Sequence, residues 1–311
     1  MSLSTSSILT RLEEIRTSRS RVPREVFELG QKLVENGWIN NQSNQGWIVK
    51  EQLAVAALEC GQLELASVLI DRLDAQFPSK ESQRILSLKG MLFEAKGDLE
   101  SARQLYEQRL KEKETDVLIR KRLISLHLST PLNVTTTTSL SRQEGIRLLV
   151  EYCDTSYVDA EAWMLLSKSY SELGLYDQSL SASNHSLLLQ PQNPFLLLQH
   201  AELSYTIDPL SEVGLKEFLR VVEMTTDLSV GKEGRGLEGC GRRAAFGAKN
   251  CISRLKSAPL NPKTTTTSTF TKLKLDELEV MVTRLILGSY EKQAGATKGE
   301  ELRVVREWLK I

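Results

Sequence analysis

The sequence holds few of the residues on which small-molecule chemistry usually depends. Three histidines, His127, His185 and His200, occur in 311 residues. The four cysteines, Cys60, Cys153, Cys240 and Cys251, include no C-x-x-C pair, and no zinc-ligand spacing arises with so few histidines. They read as free, mostly packed thiols of a reducing compartment, where a bridge between Cys240 and Cys251 is disfavoured. H-E-x-x-H, G-x-S-x-G and P-loop patterns are missing, so neither a catalytic centre nor a cofactor is expected. Net charge is missing too. Lys plus Arg total 40 and Asp plus Glu total 40, with a pI near 6.9, so no global field draws the chain to nucleic acid or anionic lipid.

Long apolar runs are also lacking. No stretch of about 18 uncharged apolar residues occurs, so no membrane span is expected. The opening MSLSTSSILTRLEEIR has no basic stretch followed by an apolar one, so no secretory signal is expected either. Three N-x-[ST] sequons stand at Asn41, Asn133 and Asn184. Asn184 falls in SLSASNHSLLLQ, which reads as a packed helix with no room for a glycan, and the three read as chance matches. GRGLEG, from Gly234 to Gly239, matches the dinucleotide fingerprint in letters only. That fingerprint needs a strand before it, and the preceding EFLRVVEM is helical, so a loop is the expected structure.

What the chain does contain is a repeat of about 34 residues. In WMLLSKSYSELGLYDQSLSASNHSLLLQP, the tetratricopeptide places are filled by Trp163, Leu166, Ser167, Tyr170, Gly174, Tyr176, Ser179 and Pro191. From Gln83 the same places hold Leu86, Gly90, Phe93, Gly97, Ala102 and Tyr106, and from Trp47 they hold Leu53, Ala54, Ala57, Gly61, Leu63, Ala66 and Pro78. In that earliest copy Lys50 stands where a large aromatic is usual. Small residues at Gly90 and Ala102 let helices A and B of one repeat approach closely, and Tyr106 fills the space beside them. Gly97 is expected in a left-handed cap, with Asp98 capping the next helix.

Residues 117–159 are too long for one repeat. DVLIRKRLISLHL reads as helix A and SRQEGIRLLVEYC as helix B, with Gly145, Leu149 and Tyr152 at their places and STPLNVTTTTS inserted between them. PFLLLQHAELSYT with SEVGLKEFLRVVEM gives another pair, in which Ala201 and Phe218 hold their places. GRRAAFGAKNCISRL with TFTKLKLDELEVMVTRLILGSYEK gives a further one. The expected architecture is all-α: a tetratricopeptide-repeat solenoid of antiparallel helix pairs with divergent terminal caps. Residues 1–46 are the leading cap. Residues 47–290 are the solenoid, with inserted loops near 129–140, 227–241 and 257–268. Residues 291–311 are the closing cap helix.

Several pieces outside the repeat consensus carry a resemblance. WIVKEQLAVAALECGQLELA (47–66), QFP (76–78), LKGMLFEAKGDLESARQLYE, IRKRLI (119–124), EAWMLLSKSYSELGLYDQS, QHAELSYT and RRAAFGAKNCIS resemble, in that order, the family of subunit 2 of the endoplasmic reticulum membrane protein complex. The two threonine tracts and the glycine-rich stretch near 231 depart from that family's pattern. The resemblance implies a non-catalytic scaffold, peripheral on the cytosolic side of the endoplasmic reticulum membrane. Its implied partners are the membrane-embedded and soluble subunits of one complex that inserts tail-anchored and multi-pass proteins.

A partner segment is expected along the concave face lined by helix A residues. On this register they are Arg84, Ser87, Met91 and Glu94; Leu118, Lys121, Arg122 and Ser125; Met164, Lys168 and Ser171; and Phe195, Leu198, Glu202 and Tyr205. Mixed apolar and charged side chains suit an amphipathic segment better than a metabolite. The basic run Arg120 to Arg122 is shorter than the 4 to 8 cations of a lipid-binding patch and reads as a partner contact or a solvated face. A chaperone-tail carboxylate clamp, the rival reading, needs several convergent cations and amides. The corresponding places hold Glu51, Val55, Leu88, Leu118 and Arg122, and only the arginine fits.

Overall fold

Gly61, Gly97 and Gly174 share one backbone state, left-handed at φ +75°, +80° and +75°. Each closes helix A of a repeat and turns the chain into helix B, a conformation that costs other residues Cβ strain. A computed structural model describes residues 4–129, 140–226, 237, 239–257, 272–291 and 298–309. The loops expected near 129–140, 227–241 and 257–268 fall largely outside those residues. The chain divides into two compact units, Met1–Leu148 and Leu149–Ile311.

The first unit begins with α1 (Thr5–Thr17), α2 (Pro23–Glu35) and a 3-10 turn (Trp38–Asn40). Pairs α3 (Asn44–Glu59) with α4 (Leu63–Gln76) and α5 (Gln83–Lys96) with α6 (Leu99–Glu112) follow, then α7 (Val117–Leu128). Helix α8 (Arg142–Thr155) spans the division between the units. The second unit continues with α9 (Ala160–Glu172), α10 (Tyr176–Leu189), α11 (Pro194–Ile207) and α12 (Glu212–Thr225). Helices α13 (Gly241–Ser257), α14 (Lys272–Glu291) and α15 (Lys298–Leu309) complete it. Among the described residues the one β-type pairing is a single bridge, Thr226 to Leu237. The fold is the all-α tetratricopeptide solenoid expected from the repeat.

Side-chain caps set many helix starts. Asp98 accepts from Ser101 N at 3.1 Å, Asp116 from Ile119 N at 3.3 Å and Asp159 from Ala162 N at 3.2 Å. Close packing of α5 on α6 depends on Gly90, since a Cβ there would lie 2.1 Å from the Tyr106 hydroxyl. Tyr106 is fully buried, Ala102 is buried beside it, and the phenol donates to Glu94 Oε1 at 2.6 Å. In the second unit serine takes alanine's role. Ser167 and Ser179 are buried, and Ser179 Oγ donates to Ser167 O at 2.7 Å, so the small polar pair satisfies itself.

Three expectations are refined by this packing. Lys50, standing where a large aromatic is usual, is packed rather than solvated. It is 2% exposed, lies 3.6 Å from the centroid of the Trp47 ring and donates to Asn41 O at 2.9 Å. Asn184 lies in α10 but is exposed, so packing is not what excludes a glycan; its Oδ1 lies 2.9 Å from His200 Nε2. The glycine-rich stretch is no simple excursion at its end, because Leu237 and Cys240 are buried in the second unit's core with Phe218, Ala244 and Val305.

Candidate functional site

Helices α3, α5 and α7 present the helix A faces of the first unit. Arg84 on α5 reaches back to α3 and grips Glu51 with two bonds, Nε to Oε1 at 2.9 Å and Nη2 to Oε2 at 2.8 Å. This fork borders a pocket of about 370 Å3 lined by Ile48, Gln52 and Val55 of α3 and by Arg19 and Arg21 of the α1–α2 connection. Gln52 donates through Nε2 to Leu12 O at 3.1 Å, which leaves its buried Oε1 without a hydrogen-bond partner. The other predicted residues of this unit lie elsewhere. Met91 packs half-buried against the α3–α5 core, and Lys121 is half-buried on α7. Arg122 Nη1 stands 3.7 Å from Glu94 Oε2. Burial first, and then the Glu94 carboxylate, raise the pKa of the adjoining Tyr106 phenol, so it remains a hydroxyl donor.

In the second unit the structure gathers predicted residues that the sequence spreads over 35 positions or so. Lys168 and Ser171 of α9 and Phe195, Leu198 and Glu202 of α11 line one pocket of about 490 Å3. Leu198 is buried and forms part of its floor rather than a surface contact, whereas Phe195 is 63% exposed. The rim is charged. Arg243, at the start of α13, takes both carboxylate oxygens of Glu202, with Nη2 to Oε2 at 2.7 Å. Met164 is exposed outside the pocket, and Tyr205 packs against the core. Arg243 was not singled out from sequence, because a pairing across 41 residues has no local signature. Among the described residues no group of His, Cys, Asp and Glu could hold a metal, and no helix is long and apolar enough to cross a membrane.

Phe195 is thus an exposed aromatic beside a charged rim on a helix A face of the second unit. Residues 63–213 match the family model described as the EMC2 TPR-like repeat domain. That stretch, 151 of the 311 residues, is similar to the EMC2 family. ER membrane protein complex subunit 2 of Xenopus tropicalis is 31% identical over 200 residues, covering 64% of this chain and 63% of that protein. TPR repeat protein oca3 of Schizosaccharomyces pombe is 27% identical over 206 residues, covering 65% of this chain and 69% of that one. The match thus spans under two thirds of the frog relative's length. Among solved structures, the C-terminal part of a TPR repeat-containing protein from Cytophaga hutchinsonii superposes with a TM-score of 0.54 at 12% identity. It covers 94% of this chain and 98% of that one, a likeness of fold alone. All fifteen predicted contact residues, from Arg84 to Tyr205, lie inside the EMC2 match, and Arg243 lies beyond it.

Proposed function

We propose that this chain is a non-catalytic scaffold subunit of the endoplasmic reticulum membrane protein complex. It sits peripherally on the cytosolic side of that membrane, attached through its partners. Its helix A faces hold cytosolic segments of the membrane-embedded subunits, and so support insertion of tail-anchored and multi-pass proteins. The observation that carries this reading is Phe195, left 63% exposed over the Leu198 floor and beside the Glu202–Arg243 fork. An aromatic in that setting is the anchor of a peptide interface, where a few such side chains dominate the binding energy. The names of the relatives supply the complex. The competing reading, a chaperone adaptor, is weakened because Arg122 already faces Glu94.

Affinity isolation of the tagged chain from detergent-solubilised membranes tests the proposal. A stoichiometric set of multi-pass endoplasmic reticulum proteins is the expected result, reduced by Phe195→Ala. Recovery of soluble chaperones alone would replace the scaffold reading with the adaptor.

A further inference from the structure

Charge balance over the whole chain conceals a strongly acidic stretch. Residues 149–215 carry nine Asp and Glu and one basic residue, Lys168, a formal charge of −8. The same stretch exposes apolar side chains at the end of the α9–α10 pair where α9 begins and α10 ends. Leu188 is 80% exposed, Tyr157 69% and Val158 68%. Trp163 ties them together: it stacks on His185 with ring centroids 4.4 Å apart and donates from Nε1 to Tyr157 O at 2.9 Å. Leu188 follows His185 by three residues on α10 and so shares its face. Asp154 and Glu161 flank Tyr157 in the chain, are exposed and make no ion pair among the described residues.

We infer that this aromatic and aliphatic patch binds a segment that carries apolar side chains together with several lysines or arginines. The charge decides the occupant. An anionic lipid surface attracts basic segments and repels an acidic one, so a membrane is the wrong partner for a surface of this sign. A neutral apolar segment would leave Asp154 and Glu161 without counter-charges. Cytosolic flanks of transmembrane helices are enriched in Lys and Arg, so a juxtamembrane segment has the required composition. The assignment of that source rests on the scaffold reading; the chemistry of the patch does not.

The test uses the full chain and a fluorescent amphipathic peptide of Leu and Lys, alongside the same peptide with Glu for Lys and phosphatidylserine vesicles. The lysine peptide should bind at least about tenfold more tightly than the glutamate peptide, and less tightly as salt rises. The double variant Val158→Ser, Leu188→Ser should lose about tenfold of that affinity with an unchanged thermal midpoint, since both side chains are largely in water. Asp154→Lys with Glu161→Lys should weaken binding and flatten its salt dependence. Equal affinity for both peptides, indifference to the double variant, or preference for vesicles would each overturn the inference. Isolation from membranes then separates the two readings. If wild type and the Ser variant recover the same membrane proteins, the juxtamembrane source of the segment fails and the scaffold stands. If wild type recovers none while the peptide result holds, the scaffold fails and the patch remains a site for basic segments.

Discussion

Tyr106 shows how one side chain joins packing to surface. Its ring fills the space left by Gly90, and its hydroxyl holds Glu94, which in turn faces Arg122 on the next helix A. Gly90→Ala should therefore destabilise by about 1–3 kcal/mol, because the ring must move or the helices separate. Ala102→Trp should cost at least as much; an unchanged thermal unfolding midpoint for either would contradict the assigned repeat register. Buried thiols give a chemical check. Burial pushes Cys153 and Cys251 up from 9.0 to about 12, so thiolate is scarce in the folded chain across the neutral and mildly alkaline range. Iodoacetamide at about pH 8 should label half-buried Cys60 first and reach Cys153 and Cys251 only after unfolding. Equal labelling rates by mass spectrometry would contradict their packing. Lys50 was illegible as a core residue for a physical reason: its charge is tolerable only because Trp47 and Asn41 O surround it.

At the scale of elements, turns and caps were legible and long-range pairs were not. Gly61, Gly97 and Gly174 could be placed from spacing because a left-handed turn selects glycine, and Asp98 because a short carboxylate suits a helix start. Leu198 could not be told from its exposed neighbours, since helix register leaves a residue at the margin of a face free to tip into the core. Arg109 and Asp116 join α6 to α7 in a buried pair at 3.3 Å, while Arg109 Nη1 donates to Lys80 O at 2.7 Å and Asp116 caps α7. Asp116→Ala should cost about 3–5 kcal/mol, by stranding Arg109 and removing the cap, and Asp116→Asn less. Denaturant titration would show it; equal losses for the two variants would put the whole effect in the lost charge. His127 supplies a pH test where α7 meets the start of α8. Burial lowers its pKa below 6.5 against the opposing hydrogen bond that a protonated Nδ1 donates to the Ser141 carbonyl oxygen at 3.2 Å. The unfolded chain therefore takes up the proton more readily, so this contribution to stability is present above about pH 6.5 and lost as pH falls. His127→Gln should flatten the acid limb of the stability profile, and an unaltered limb would show that other groups govern it.

Across the whole molecule, zero net charge hides segregation. Residues 149–215 are acidic, whereas residues 216–311 carry eighteen Lys and Arg against twelve Asp and Glu. The absence of any Lys or Arg from 169 to 215 was readable in the sequence once charge was counted by segment, whereas the apolar exposure beside it needed the fold. The proposed role requires that helix A faces hold segments of membrane-embedded partners. Its most direct test is site-specific photocrosslinking in native membranes, with the reactive side chain placed at Phe195 and, as a control, at exposed Asp71 on helix B of the first unit. Discrete adducts with membrane-embedded proteins are expected from position 195 and none from position 71. Adducts from position 71 alone, or only soluble proteins from position 195, would contradict it.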